Sequence, residues 1–544
     1  MKFKLFVLSL SGVLFCVSSL ALAAEAAPAK SSALAAAPVE AEPVVLRFTI
    51  NGYMLEGATL LSKEEAGAAL APFIGQDKDF SDVQRALEAV EELYAHKGYS
   101  AVHVMLPEQE LEKGNVRFRV VESRFGKVEV KDNRYFSSAN VLNAVPSVRA
   151  GGVPRSKEIA KELKLANENP ARQLNVVLKA GEKEEDVDAS VMVTDSAPSA
   201  WGASFDNSGS PETGGTRLGL SYRHANVFDA DHVASIQYLM SPQHPNSTRV
   251  LGGSYKIPLY EDNSSLEFFG GYSNVNALVG GINNFQGGGL LTSVRYNLAL
   301  ERVGIFDPRL SFGFDWRKFR RLEMTSGAST TVIYNDIVVT PLSLTYAAQG
   351  KFDKSDLSFN VSCAANLPKA GGGKADDFAK YDTSHATHPE SAYKVLRYGL
   401  NYSQAIEDDW QFRAALNGQW SKDELIQGEQ MRLGGADAVR GFSEGSEGGE
   451  VGTRLNLEVY SPDFGKNEIK VRALVFYDAG QSRPVNETAG NIKATIAGTG
   501  AGLRINYTEH LSMRMDRARI VNAGSDTTQN TGDWRWHASL NATF

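Results

Sequence analysis

Residues 441–445 read Gly441-Phe442-Ser443-Glu444-Gly445, the G-x-S-x-G pattern with which a hydrolase exposes a nucleophilic serine. That chemistry needs a strand before the motif and a helix after it. This stretch lies instead in a glycine-rich loop, so the match reads as coincidence. His385 and His388 form an H-x-x-H pair, but their Gly/Asp/Ser-rich surroundings supply no third ligand, and a solvated loop is the better reading. Gly371-Gly372-Gly373-Lys374 lacks the spacing and the following Ser/Thr of a phosphate-binding loop. The chain has 2 Cys, Cys16 near the start and an isolated Cys363, which excludes a disulfide framework and a four-Cys metal site. No motif asks for a cofactor or metal, and no enzyme is expected.

One pairing of distant residues carries more information. A loop reads Met431-Arg432-Leu433-Gly434-Gly435-Ala436-Asp437-Ala438-Val439-Arg440-Gly441-Phe442, and a later segment reads Phe476-Tyr477-Asp478-Ala479-Gly480. If the later segment is a strand with Val471, Ala473 and Val475 on its apolar face, then Arg472, Phe476 and Asp478 share the opposite face. Glycines at 434, 435 and 441 allow the loop to turn tightly in a confined space. Arg440 and Asp478 then either form a charge pair that holds the loop or merely line a wet channel. Periodicity alone leaves both open.

The elements that must position this pair follow from the rest of the chain. Lys2 and Lys4 precede an apolar run from Leu5 to Leu22, and Ala21-Leu22-Ala23 offers a small-x-small cleavage site, so residues 1–23 read as a signal peptide. No later stretch reaches about 18 consecutive apolar residues, so no transmembrane helix follows. Residues 24–43 are an Ala/Pro/Glu tract, read as a linker, with a short Ala-rich helix as the alternative. The exported chain therefore stays soluble or enters a membrane by strands. With 56 Lys+Arg against 64 Asp+Glu among 544 residues, a net −8, no general nucleic-acid binder is expected.

Residues 44–122 and 123–196 read as two tandem β-α-α-β-β modules. In the first, Val45 to Ile50 is a strand, Ser62 to Leu70 a short helix, and Val83, Leu87, Val90 and Tyr94 mark one face of a longer helix. Ser81 and Gln84 are read as its capping box and Gly98 as its stop. Ala101 to Leu106 and Asn115 to Val121 return as strands. In the second module, Gly126 to Val130 is a strand, Ser138 to Ala144 and Ser156 to Ala166 are helices, and Gln173 to Ala180 and Val187 to Thr194 form a hairpin.

From Trp201 onward the texture changes to alternating segments separated by Gly/Asn/Asp/Ser-rich turns. Trp534, Trp536, Ala538, Leu540, Ala542 and Phe544 share one face; Arg535, His537, Ser539, Asn541 and Thr543 share the other. Leu455, Leu457 and Val459 likewise oppose Arg454, Asn456 and Glu458. Strands this long, apolar on one face and following a signal peptide, fit a transmembrane β-barrel better than a soluble sandwich. About 345 residues, at roughly 20–22 per strand and turn, predict 16 strands over 199–544. The tight connection at Ala405 to Asp409 and the long ones at Pro368 to Glu390 and Glu424 to Gly449 place the Arg440 loop outside the cell. Terminal Phe544, with Trp536, reads as a barrel C-terminal assembly signal.

These motifs resemble a family. Val439-Arg440-Gly441-Phe442 in the sixth outer loop, with Phe476-x-Asp478-x-Gly480 on a following strand, is similar to the paired signature of the outer-membrane POTRA-barrel superfamily. The two modules resemble POTRA domains, and their number is similar to TpsB-type two-partner secretion transporters, the hemolysin secretion/activation (ShlB/FhaC/HecB) family. Asn169-Pro170-Ala171-Arg172 in the second module and Asp206-Asn207-Ser208-Gly209-Ser210 at the barrel's start also resemble that family. The family often carries an N-terminal plug helix, a pattern that Ala24 to Pro43 does not display. The resemblance implies that Arg440 and Asp478 lock an inserted loop, and that the POTRA modules receive an unfolded, TpsA-like exoprotein in the periplasm and pass it to the surface without nucleotide hydrolysis. It further implies an outer-membrane location, surrounding lipid, and the barrel assembly machinery as a partner in biogenesis. The alternatives are an assembly factor for other barrels and, last, a passive porin, which needs neither the modules nor the loop motif.

Overall fold

The computed structural model describes residues 46–544 except 111–113, 184, 210–212, 246–247, 275–287, 327–328, 383–387, 487–492 and 525–528. The expected signal peptide and linker, the question of a plug, His385 and Ser210 lie outside the described residues.

The first module contains β1 (Phe48–Ile50), β2 (Gly52–Glu56), α1 (Lys63–Leu70), β3 (Gly75–Lys78), α2 (Phe80–His96), β4 (Val102–Met105) and β5 (Asn115–Glu122). β1 and β3 form a small ribbon, and a three-stranded sheet runs β2-β5-β4 with β2 parallel to β5. Val83, Ala86, Val90 and Tyr94 bury one stripe of α2 against Val104, Val116, Phe118 and Val120 of the sheet. The cap of α2 differs from the Ser81/Gln84 expectation. Asp79 accepts from the Asp82 backbone N–H at 3.1 Å and Asp82 accepts from that of Asp79 at 3.1 Å. An Asp-x-x-Asp box thus does the work two residues earlier, with carboxylates at both ends suited to the helix dipole. Ser81 sits inside the first turn and donates to Asp79, while Gln84 pairs with Glu88. Gly98, at φ +87°, ends the helix in a conformation that favours glycine.

The second module contains β6 (Arg124–Lys131), α3 (Ser138–Asn143), α4 (Ser156–Ala166), β7 (Arg172–Ala180) and β8 (Asp186–Asp195), with sheet order β6-β8-β7. Ile159 and Leu165 of α4 are buried, and Ile159 packs in one cluster with Val141, Val145, Leu174 and Val191.

The rest is a closed antiparallel barrel. Its staves begin with β9 (Ser199–Asp206), β10 (Arg217–Val227), β11 (His232–Met240), β12 (Arg249–Leu259), β13 (Ser264–Ser273), β14 (Gly289–Ala299) and β15 (Phe306–Phe319). A hairpin of β16 (Leu322–Ser326) and β17 (Ser329–Tyr334) extends from the fourth outer loop. The eighth stave is split into β18 (Ile337–Val339) and β19 (Pro341–Lys351), both paired with β15. The break falls at Thr340, whose N–H turns to Asn366 Oδ1 at 2.7 Å, just before Pro341, which has no N–H for a ladder. β20 (Ser355–Asn366), a fifth outer loop with α5 (Ala375–Ala379), β21 (Lys394–Ala405) and β22 (Gln411–Trp420) follow. The sixth outer loop holds the two-residue strands β23 (Met431–Arg432) and β24 (Gly448–Gly449), paired with each other. β25 (Val451–Tyr460), β26 (Ile469–Arg483), β27 (Ala494–Tyr507), β28 (Leu511–Asn522) and β29 (Trp534–Thr543) complete 16 staves among the described residues.

β29 closes on β9 from Ser539↔Asp206 to Thr543↔Gly202, and Phe544 exchanges both backbone hydrogen bonds with Trp201, at 3.0 and 2.8 Å. The alternation sorts residues as a membrane demands: Leu220, Leu251, Phe312, Leu400, Val475 and Leu503 are exposed outward, whereas Arg397, Asn417, Arg454 and Arg504 line the lumen. Cys363, next to lumen-lining Ser362, is exposed on the outer face. At the module end the turns are tight and use left-handed Asp or Asn at Asp229, Asn263, Asp408 and Asn467.

Candidate functional site: an arginine held inside the barrel

The sixth outer loop folds inward, and its tip meets the walls of β25 to β29. Arg440 lies at its centre. Its Nε donates to Asp478 Oδ2 at 2.7 Å and its Nη2 to Asp478 Oδ1 at 2.9 Å, a fork-to-fork pair in which both side chains are almost completely buried. The Arg440 backbone N–H adds a third bond to Asp478 Oδ2 at 3.1 Å. Nη1 faces Glu458 at 2.8 Å and Asp516 at 3.5 Å, and the guanidinium stacks 3.5 Å from the Phe476 ring centroid. Three carboxylates and one ring, on β25, β26 and β28, thus converge on one cation.

Neighbouring residues fix the surroundings. Asn456 Nδ2 donates to Asp478 Oδ1 at 2.8 Å and to the Ala438 carbonyl at 2.6 Å, so one amide orients both the acid and the loop. Arg504 and Arg514 hold Asp516 from the far side, at 2.7 and 2.9 Å. Arg514 also reaches Asp437 and the Ala436 carbonyl, each at 2.5 Å. The Gly441 N–H donates to His537 Nε2 at 3.0 Å, which requires that nitrogen to carry no proton. Val439 and Phe442, both fully buried, join Leu433, Ile496 and Ile520 in an apolar cluster beside the charges.

Backbone proximity makes the arrangement possible. Gly441 has φ +103°, a region L side chains rarely adopt. A Cβ at Gly480 would stand 3.1 Å from Leu433 and 3.2 Å from Val439. A Cβ at Gly500 would stand 2.7 Å from the Phe476 ring, and one at Gly502 would overlap Asp516. Gly500 lies directly across the ladder from Phe476, and Gly498 across from Asp478.

The loop motif Val439–Phe442 and the wall motif Phe476, Asp478 and Gly480 are therefore brought together. The other expected residues lie elsewhere. Trp536 and Phe544 face outward on the closing strand, 50% and 75% exposed, and take no part in the loop contacts. Asn169, Pro170 and Arg172 form a second constellation at the module end of the barrel. Arg172 Nη2 meets Asp231 Oδ2 at 2.7 Å, in the turn between β10 and β11, with both side chains buried. Tyr260 OH donates to the same carboxylate at 2.6 Å, and Asn169 Nδ2 donates to the Ala225 carbonyl at 2.7 Å. Pro170 keeps the chain from extending α4, so Arg172 opens β7 instead. Sequence reasoning did not single out Glu458, Asn456, Asp516, His537 or the glycines of β27. The one readable signal was Gly498-x-Gly500-x-Gly502, a period-two run of glycines on the lumen-facing side of one strand.

A closed sixteen-stave barrel with an inward-folded loop, preceded by two periplasmic modules, defines an outer-membrane transporter of the POTRA-barrel class. Residues 187–505 match the family described as haemolysin secretion/activation protein ShlB/FhaC/HecB, and residues 48–123 match the POTRA domain, ShlB-type; the chain belongs to that family. It is a two-partner secretion transporter of the outer membrane, with its POTRA domains in the periplasm. The chain is similar to the heme/hemopexin transporter protein HuxB of Haemophilus influenzae, 23% identical over 433 residues that cover 77% of this chain and 72% of that protein. It is also similar to the outer membrane transporter CdiB of Dickeya dadantii, 23% identical over 426 residues, 76% of this chain and 72% of that protein. Among solved structures, CdiB from Escherichia coli superposes with a TM-score of 0.75 at 19% identity, covering 93% of this chain and 92% of that one.

Proposed function

We infer that the chain receives one unfolded exoprotein of the TpsA type on its periplasmic POTRA modules and passes it through the barrel to the cell surface, with the Arg440–Asp478 pair keeping the sixth loop in the lumen until transport requires it to move. The observation that carries this reading is the loop tip itself, inserted among strands and held by a buried, forked charge pair. A passive porin needs neither the paired loop-and-wall motif nor the two modules ahead of the barrel.

Physical considerations support the capture step. Both module sheets have edge strands, β2 and β4 in the first and β6 and β7 in the second, which can extend onto a client by backbone hydrogen bonding. Such pairing tolerates varied client sequences. No nucleotide is at hand in the periplasm, so client folding outside the cell supplies the direction. In the lumen beside the loop, Arg295, Arg397, Arg413, Arg454, Arg472 and Arg504 contribute to a polar wall that can hydrogen-bond to a passing polypeptide. Lipid against the apolar outer face, and the barrel assembly machinery acting on the closing strand with its outward Trp536 and on Phe544, complete the set of partners. No catalysis is assigned to Ser443: its backbone N–H donates to Gln529 at 3.0 Å and its hydroxyl accepts from Arg535 at 2.7 Å, on a loop with neither strand before nor helix after.

The test is a comparison of proteins released to the medium and displayed on cells, with and without this gene. Loss of one large exoprotein with other barrels unchanged is expected. General depletion of outer-membrane proteins would instead indicate an assembly factor, and no change a passive pore.

A further inference from the structure

The sixth loop is fastened at its tip and at its root, and the most deeply buried loop charge at each has the opposite sign. At its tip a loop arginine enters a wall of acids. At its root a loop acid enters a wall of arginines. Glu429, with its side chain 1% exposed, accepts from Arg317 Nη1 of β15 at 2.7 Å and from Arg397 Nη2 of β21 at 2.9 Å. Gln419 Nε2 of β22 donates to the Glu429 carbonyl at 2.9 Å, and its own side-chain oxygen accepts from Arg397 Nε at 2.8 Å. Arg317 is itself paired with Asp315, which Arg295 also approaches at 4.0 Å.

Packing fixes the same segment. Leu425 and Ile426 are buried with Phe319, Val339, Phe378, Tyr393 and Val395, in a cluster that joins the fourth and fifth outer loops to the wall. Gly428 lies so close to the Phe319 ring that a Cβ there would stand 2.6 Å from Cζ. Glu450, on the returning leg, accepts from Gln430 Nε2 at 2.8 Å and from the Val485 N–H at 3.2 Å. Between these fixed legs the two-residue ladder of β23 and β24, continued by the Leu433 N–H to the Glu447 carbonyl at 3.0 Å, connects root to tip.

We propose that Glu429 is a second positioning residue for the sixth loop: its pairing with Arg317 and Arg397 holds the root against β15 and β21, so that the tip beyond Met431 is the part that swings when Arg440 releases. This rests on the reading that the loop moves during transport. Arg440 faces three acids, Glu458, Asp478 and Asp516, among which it can exchange partners, whereas parting Glu429 from Arg317 and Arg397 strands a buried acid, so the root stays seated while the tip moves. Without that pairing the root and the tip can leave the wall together, so each fastening separately limits the population of open arrangements.

The test uses the full-length protein in planar lipid bilayers with potassium chloride alone, so it needs no client and stands apart from the secretion assay. Folding is checked by the heat-dependent shift of the barrel band on gels. Glu429→Gln is expected to raise the open-channel fraction at least about fivefold over the parent, and the double variant with Arg440→Ala to exceed either single one. Glu429→Asp, which keeps the charge, is expected to stay near the parent. Should Glu429→Gln fail to fold, Arg397→Gln removes one partner from the wall side and carries the same expectation. A folded Glu429→Gln or Arg397→Gln channel indistinguishable from the parent, or a Glu429→Asp channel as open as the Glu429→Gln one, would overturn the proposal.

Discussion

Gly498 faces the carbonyl oxygen of Arg440 with no room for a methyl group between them. This contact sets how deeply the loop tip can seat, because Gly498 also lies across the ladder from Asp478, the partner of the Arg440 side chain. The lock is therefore a matter of backbone clearance as much as of charge.

Gly498→Ala is accordingly expected to leave the barrel closed while pushing the tip off its seat. Arg440 is 2% exposed in the seated loop and so poorly accessible to trypsin added to intact cells. The Ala variant should yield new peptides ending at Arg440, detected by mass spectrometry. An unchanged digest would show that the strand, rather than the loop, absorbs the added methyl.

The opposite end of the barrel has its own buried pair. Arg172→Ala leaves the Asp231 carboxylate buried and bonded only to Tyr260 among the contacts described above, and removal of one partner from such a pair costs about 3–5 kcal/mol. The expected result is a second POTRA module that undocks and becomes readily cleaved near residues 196–198 by protease in the periplasm, with the barrel intact. Arg172→Ala with Asp231→Asn should recover part of the docking, since the stranded charge is then gone. Equal protease sensitivity of the single and double variants would contradict this.

Glu122 ties the first module together by accepting from the Thr59 N–H at 2.7 Å, the Leu60 N–H at 2.9 Å and Tyr94 OH at 2.7 Å, as well as the Thr59 hydroxyl. Burial pushes its carboxyl upward, but these donors outweigh burial and hold it below the usual range. A depressed folded value means that the unfolded chain takes up the proton first as pH falls. The stabilisation is present above the ordinary carboxylate range and disappears as pH drops through the folded value. Among the described residues the buried core of this module is built from its own side chains, so a fragment of residues 44–123 serves for measurement. Its urea midpoint should stay level from neutral pH down to about 4.5 and then decline. Glu122→Gln should flatten that decline and lower stability at pH 7 by about 1–3 kcal/mol. Parallel pH curves for the two would contradict the assignment.

Much of the architecture was legible because membrane strands obey a simple alternation. Arg454, Asn456 and Glu458 against Leu455, Leu457 and Val459 give lumen and lipid faces without any knowledge of neighbours. The loop and wall motifs were legible as a pair for the same reason, since parity alone turned Asp478 inward. What Arg440 touches beyond Asp478 was not. Glu458 and Asp516 arrive from β25 and β28, and which lumen-facing acids reach the guanidinium depends on ladder register, which parity does not specify. Glu429 was hidden for a sharper reason: its partner Arg317 lies 112 residues away, with the fourth and fifth outer loops between them in the chain. The α2 cap was misread because carboxylates can fill both positions of a capping box, and Asp79 and Asp82 do so just ahead of the Ser-x-x-Gln spacing.

The central claim is that the Arg440–Asp478 pair holds the sixth loop for secretion rather than holding the barrel together. The most direct measurement is the amount of exoprotein released by cells carrying Arg440→Ala, with the barrel's heat-dependent gel shift read on the same membranes. The account predicts a barrel inserted at normal abundance and folded, with secretion strongly reduced. Secretion at the parental level from a folded Arg440→Ala barrel would contradict it.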